Sequence, residues 1–158
     1  MSDGTDVIIS CLERAPALII PLVREVPPAV LKRRPKPKKW SAHEHACHLA
    51  AVHPLMSARL DLMLAEDKPR IKPYLPHESD EDGALLKVDL SEALERFSRD
   101  RQNLVRRLRA LSAQDWERTA EHSEYTHYSV FIMFRHVAMH DMLHAYRIEE
   151  LLLKNDWE

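Results

Sequence analysis

Glycine and cysteine are nearly absent from this chain of 158 residues, which contains two of each. Tight β-hairpins and phosphate-binding loops both depend on glycine, so neither is expected. Cys11 and Cys47 lie far apart and lack CxxC spacing. This excludes a disulfide framework and a zinc knuckle, and it predicts that both cysteines are small core residues.

Long apolar runs and a strong charge of one sign are also missing. No apolar run approaches the roughly 20 residues needed to span a bilayer, and the N-terminal segment lacks the pattern of a signal peptide. The formal net charge is -2 and the pI is about 6.6, whereas nucleic-acid-binding domains are usually markedly basic. We expect one cytoplasmic domain over residues 1–158, with no membrane and no nucleic-acid partner.

Helical periodicity is the dominant pattern that the chain does have. Apolar residues recur at three- and four-residue intervals over residues 6–24, 41–65, 91–111 and 129–154. The longest connector, residues 66–88, suits a crossover between the second and third helices. The sequence therefore predicts an all-α four-helix bundle.

Local signals refine this prediction at three places. Pro16 and Pro21 predict a kink or a break in the first helix. Ser41 followed by Glu44 is the pattern of a capping box that begins the second helix. The basic connector at residues 26–39 is either a solvated loop or an anion-binding patch, and the loop is favoured.

Histidine spacing is the main indication of chemistry. His136, His140 and His144 recur every four residues, so their rings project from one side of one helix. A histidine pair at this spacing can bind one transition-metal ion. His140 and His144 fall inside the apolar stripe of the helix, and His136 lies on its edge.

The second helix contributes another inward histidine. At 100° per residue His48 shares the apolar face, whereas His43 and His53 are expected in solvent. A buried polar group without a partner costs about 1–3 kcal/mol. The inward histidines are therefore satisfied either by a shared metal ion or by hydrogen bonds within the core.

Five charged residues near these faces have more than one interpretation. Arg101 interrupts the seam of the third helix, so it either pairs with a carboxylate or extends to solvent. Asp141 is expected to hydrogen-bond to an adjacent helix or to an imidazole. Arg59 and Arg147 are candidates for binding a substrate carboxylate, although an internal ion pair or extension into solvent is commoner. Glu44 is a capping residue, an orienting residue or a general base.

The order of these motifs resembles the DinB/YfiT-like family of metal-dependent enzymes. The motifs are W-S-x-x-E-x-x-x-H-L, beginning at Trp40, and H-x-x-x-H-D-x-x-H, beginning at His136. The likeness extends to RAPALIIPLV near the start, to RRPKPKKWS and to Asp100-Arg101, and so covers nearly the whole chain. It implies a four-helix bundle with up-down-down-up topology, which in many members forms a homodimer.

The resemblance also implies a site and a range of functions. By motif position the family's three metal ligands correspond to His48, His140 and His144, and the ion is nickel, zinc, iron or manganese. His53 stands where many relatives carry an acidic residue, which weakens any role that needs a carboxylate there. Some branches are S-transferases or isomerases that use low-molecular-weight thiols, and others are described as hydrolases.

We therefore expect a metal-dependent enzyme that acts on a small molecule by hydrolysis or thiol transfer. Glu44 is its candidate catalytic residue. The alternative is a non-catalytic, metal-binding or structural dimeric helical bundle.

Overall fold

Four long helical segments form the body of the protein in the computed structural model, which describes residues 3–73 and 81–157. The α-helices are α1 Asp3–Glu25, α2 Pro28–Leu31, α3 Ala42–Ala51, α4 His53–Ala65, α5 Leu90–Arg109, α6 Ala113–Glu117 and α7 Val130–Leu152. A 3₁₀ helix spans Glu81–Lys87, and two short strands, β1 Arg70–Ile71 and β2 Glu121–His122, pair in parallel. Within the described ranges the sheet has two strands of two residues each, so the all-α prediction is confirmed.

Two buried apolar clusters show how the helices run. The first cluster contains Ile8, Leu60, Leu104 and Met133. The second cluster contains Ile19, Leu49, Phe97 and Ile148. The first joins the starts of α1 and α7 to the ends of α4 and α5, and the second joins the opposite ends. Thus α1 and α7 run one way, the α3–α4 segment and α5 run the other, and the up-down-down-up topology is confirmed.

The first helix passes through both of its prolines without a break. Proline has no N–H, so Pro16 leaves the carbonyl of Leu12 without its usual donor four residues later. The guanidinium of Arg101 on α5 replaces that donor, with Nη1 3.0 Å from the Leu12 oxygen. Helix α5 thus supplies the hydrogen-bond donor for a carbonyl that a proline in α1 leaves without one.

Arg101 also forms a buried ion pair, which was one of the two outcomes expected for it from the sequence. Its guanidinium donates to both carboxylate oxygens of Asp141 on α7, and the two side chains are each 1% exposed. The Nε atom of Arg101 donates to Nε2 of His53 on α4, 3.1 Å away. With the Leu12 carbonyl, one guanidinium joins all four long segments of the bundle.

The second long segment begins with the predicted capping box and is then interrupted. Ser41 accepts from the backbone N–H of Glu44, whose side chain accepts from the Ser41 N–H. Pro54, in the first turn of α4, cannot donate an N–H to the turn before it. The segment therefore divides into α3 and α4 at Val52.

The prediction that His43 and His53 are solvated is wrong, since they are 1% and 3% exposed. Eight of the ten residues of α3 are buried, because α5, α7, α1 and the 3₁₀ helix all pack against it. His43 lies under the 3₁₀ helix, with Nε2 3.1 Å from the Leu85 carbonyl oxygen. A helix covered on several sides has no solvated face from which a single inward direction can be read.

Two further observations concern exposure. Cys47 is buried as predicted, but Cys11 is exposed on α1, so its assignment to the core is wrong. No helix in the described part of the chain is long and apolar enough to cross a membrane.

Candidate metal centre

Three histidines from two helices converge beside the interface of α3 and α7. Nε2 of His140 lies 3.0 Å from Nε2 of His48 and 3.0 Å from Nε2 of His144. One ligand nitrogen from each ring lies within 4.8 Å of the other two. The structure therefore brings together the three residues that the sequence singles out. His136 lies apart, half-buried beside the ring of Tyr125.

The arrangement of these nitrogens fits a divalent transition metal. Zinc–nitrogen bonds of 2.0–2.1 Å at tetrahedral angles place two ligand nitrogens about 3.3 Å apart, close to the 3.0 Å contacts here. A neutral imidazole carries one N–H, so Nε2 of His140 cannot donate to both of its neighbours. Imidazole nitrogen also suits zinc, iron and nickel. The three rings thus leave lone pairs directed at a common point, which a metal ion would satisfy.

Burial keeps these imidazoles in the neutral form that metal binding requires. It lowers the pKa of His48 to about 3, with further lowering from His140 and His45. Burial is also the main cause that lowers the pKa of His140 and His144. All three rings are consequently unprotonated at neutral pH, and no proton has to be displaced before a cation binds.

A fourth histidine, His45, contacts this group and was not predicted as part of it. Its Nδ1 atom lies 2.7 Å from Nδ1 of His144, on the side of that ring away from His140. If Nε2 of His144 faces a metal, Nδ1 carries the proton and donates it to His45. His45 is three residues before His48, so helical spacing places the two rings on neighbouring parts of α3. This three-residue spacing in the sequence could have identified His45 as a neighbour of the site.

An open cavity of about 620 Å³ gives access to the histidines. Trp40 forms one wall, with its ring centroid 4.7 Å from that of His48 and 5.9 Å from that of His144. Lys38 and Lys39, at the end of the basic connector, line the same cavity. The connector therefore contributes positive charge to the approach to the site, and it is not simply a solvated loop, since α2 lies within it and Val26 is buried.

A somewhat larger groove, about 710 Å³, lies between α1 and α5. No histidine or cysteine is among the residues that line it, so it offers none of the chemistry of the three-histidine cavity.

Glu44 is buried below this cavity and is fully engaged with its neighbours. Arg34 donates to both carboxylate oxygens, and the N–H and hydroxyl of Ser41 donate to one of them, each at 2.8 Å. Burial alone would raise the pKa of Glu44, but the hydrogen bonds from Arg34 and Ser41 outweigh it and hold that pKa below its usual value. Glu44 is not among the residues that line the cavity.

Arg147 and Arg59, the two arginines considered as ligands of a substrate carboxylate, differ in exposure and in hydrogen-bond partners. Arg147 lines the cavity, is half exposed and pairs with Glu150 at 2.7 Å, the commoner outcome for a surface arginine. Arg59 is 8% exposed and donates to the backbone carbonyl of Lys72.

Comparisons with known proteins agree with this fold. The family model of the DinB superfamily matches residues 12–148. A solved structure, YfiT from Bacillus subtilis, superposes with a TM-score of 0.86 at 24% identity, covering 96% of this chain and 87% of that one. That protein is described as a probable metal-dependent hydrolase with an unusual four-helix bundle topology. At this identity the likeness shows the fold. None of the curated proteins compared with the sequence matches it.

Proposed function

This chain belongs to the DinB superfamily, and from that premise we propose that it is a metal-dependent enzyme acting on a small molecule. His48, His140 and His144 are the proposed ligands of one divalent ion. The observation that carries the proposal is the convergence of their Nε2 atoms at the floor of an open cavity. The relative described as a probable metal-dependent hydrolase supports the same reading.

The number of ligands favours catalysis over a structural ion. Structural zinc is normally closed by four protein ligands, whereas catalytic zinc has three and keeps one position open. Among the described residues the candidate group has three members, and His45 lies behind His144. An ion held by the three rings would lower the pKa of a bound water or thiol, the chemistry that both hydrolysis and thiol transfer need.

The surrounding residues have separate proposed roles. His45 fixes the tautomer of His144 by accepting its Nδ1 proton. Trp40 provides a flat wall against which a substrate can stack, and Lys39 raises the local concentration of anions. Because its oxygens are already engaged, we assign Glu44 to holding the connector through Arg34 rather than to proton transfer.

A thiol-transfer reaction would need a thiol from outside the protein. Burial raises the pKa of Cys47 to about 11, so this thiol is neither exposed nor ionised at neutral pH. Cys11 is exposed on α1, and neither cysteine lines the cavity. The proposed co-substrate in that case is a low-molecular-weight thiol.

Activity assays on protein loaded separately with zinc, nickel, iron or manganese test this function. Hydrolysis of p-nitrophenyl acetate, and conjugation of glutathione to 1-chloro-2,4-dinitrobenzene, report the two reaction types. We expect metal-dependent turnover in one assay, its loss in His140→Ala and its retention in His127→Ala, which replaces an exposed histidine outside the cavity. Turnover that survives His140→Ala would contradict the proposal.

We also propose that the protein is a homodimer. Four exposed apolar residues on α7, Met139, Met142, Leu143 and Tyr146, recur at helical spacing and form one uncovered face. A second copy of the chain is the proposed occupant, as the family resemblance implies. Light scattering after size exclusion should give twice the chain mass, and Met142→Glu should halve it. A wild-type monomer would refute the dimer.

A further inference from the structure

A second, smaller cavity of about 220 Å³ adjoins the three-histidine site on the other side of His140. His140 lines both cavities, so a ligand in the smaller one has one end beside the proposed metal ligands. The apolar part of its lining consists of Val52, Met56, Met133 and Val137. The cavity is therefore a compartment of the same site, with walls suited to a small organic group.

Arg59 places a charge inside this compartment. The side chain is 8% exposed, donates to the backbone carbonyl of Lys72, and is also hydrogen-bonded to the side chain of Tyr128. No carboxylate in residues 3–73 or 81–157 forms an ion pair with it. A guanidinium has five donors in a planar fork, and a buried charge without a counter-ion is costly. Arg101, which is buried more deeply at 1% exposed, has its carboxylate partner in Asp141.

The remaining polar lining includes one carboxylate among the described residues, Glu124, but no ion pair links it to Arg59. Burial lowers the pKa of His122 and of His136, so both rings are neutral at physiological pH. Glu124 lies at the exposed rim, where it disfavours multiply charged anions. Burial raises the pKa of Tyr128, against the opposing effect of nearby Arg59, so its hydroxyl stays protonated and can donate.

Aromatic rings give the compartment a flat interior. Tyr125 and Tyr128 stack with an interplanar angle of 8°, and the ring of His122 lies 4.7 Å and 4.8 Å from theirs. Such surfaces bind planar apolar groups by stacking and burial. This lining therefore complements a ligand that has a planar body and a single negative charge.

We infer that this cavity is the subsite for a substrate carboxylate, held by the planar fork of Arg59 with the hydroxyl of Tyr128 beside it. The body of the ligand lies against the tyrosine rings and directs its reacting end toward His140. The substrate class is thus a small monocarboxylic acid with a planar or apolar body. The inference deepens the function proposed above and rests on it for the reaction, but carboxylate binding itself does not require the metal.

The test uses metal-stripped protein, so that a carboxylate cannot bind an ion at the histidines. The probe is benzoate, and benzamide is the neutral control of the same shape. NMR titration should show saturable binding of benzoate with shifts of the Tyr125 and Tyr128 ring signals, and at least tenfold weaker binding of benzamide.

Variants then assign the charge to Arg59. Arg59→Met should weaken benzoate binding at least tenfold, and Arg59→Lys, which keeps the charge but not the fork, should weaken it less. Arg118→Met is the matched control, because Arg118 also caps backbone carbonyls of the α4 segment but lies outside this cavity. Circular dichroism verifies folding, and Arg59→Lys serves if Arg59→Met does not fold.

Three results would overturn the inference: equal binding of benzoate and benzamide, unchanged benzoate binding in both Arg59 variants, or an equal loss in Arg118→Met. The outcome is separable from that of the proposed function. Protein that binds zinc at the histidines but not benzoate retains the metal centre and loses the carboxylate subsite. Protein that binds benzoate but no metal retains the subsite and loses the enzyme.

Discussion

Replacing Arg101 with methionine is expected to cost the fold several kilocalories per mole. The substitution keeps most of the apolar volume but leaves the carboxylate of Asp141 buried without its partner. It also removes the donors to the Leu12 carbonyl and to His53. Removing one member of a buried ion pair costs about 3–5 kcal/mol, a large part of the roughly 5–15 kcal/mol that stabilises a typical domain.

Urea unfolding of the metal-free protein, followed by circular dichroism, measures this cost. In a chain of this size each kcal/mol lowers the melting temperature by about 2–4 °C, so Arg101→Met should melt roughly 6–20 °C lower. The double variant Arg101→Met/Asp141→Leu has no uncompensated charge. It should recover about 2 kcal/mol or more relative to the single variant.

An exposed ion pair between α5 and α1 provides the control. Arg109 and Glu13 lie 2.8 Å apart with about half of each side chain exposed. Surface pairs contribute about 0–1 kcal/mol, so Arg109→Met should change stability little. If Arg101→Met costs no more than Arg109→Met, the buried pair does not stabilise the bundle as argued.

Three further predictions concern the histidines and the metal. Calorimetry should show that His45→Phe binds zinc about 10- to 100-fold more weakly than wild type. His45→Gln can still accept a hydrogen bond from His144, so it should bind zinc more tightly than His45→Phe does. Equal zinc affinities in wild type and both variants would remove the role of His45. Burial lowers the pKa of His53 to about 3, so its neutral form stabilises the fold above pH 6.5. That stability is lost as the pH falls below 6.5, by roughly 1.4 kcal/mol at pH 5.5, because the unfolded chain binds a proton that the folded one does not. Urea unfolding of metal-free wild type and His53→Gln at pH 7.5 and 5.5 measures it, and an identical pH response in both would contradict this assignment. Chelator should lower the melting temperature yet leave a cooperative helical protein. The free energy of unfolding should fall by about 2.7 kcal/mol if free metal had been at a hundred times its dissociation constant. Complete loss of helix in circular dichroism would show instead that the ion is structural.

Sequence reasoning succeeded where a helix is long and uninterrupted. His140 and His144 lie within α7, Val130–Leu152, so advancing 100° per residue from its apolar positions gave the right direction. His48 was placed correctly because it precedes the interruption at Val52. The fold class followed from the same periodicity, and the topology from the resemblance.

The errors arose where neighbouring elements, rather than the helix itself, decide burial. His43 is buried by the 3₁₀ helix of a connector, and His53 by Phe97 and Arg101 of α5. Periodicity along one helix carries no information about either neighbour. The contact between His45 and His144 likewise depends on how α3 and α7 are rotated against each other, across a separation of 99 residues.

For the charged residues too, the sequence indicated part of the environment and the packing of other helices decided the rest. The position of Arg101 in an apolar seam predicts that it needs a partner, but Asp141 is identified only when α5 and α7 are packed together. For Arg59 the commoner expectation was an ion pair or extension into solvent. Instead the side chain is buried beside a cavity and forms no ion pair with a carboxylate of the described residues, which is why it gained a proposed function.

Elemental analysis of protein purified without a histidine tag tests the metal centre most directly. The account predicts about one divalent transition-metal ion per chain in the wild type and in His136→Ala, and close to none in His144→Ala. Metal-free wild type that also takes up no zinc, nickel, iron or manganese on incubation and dialysis would contradict the central claim, as would full occupancy in His144→Ala.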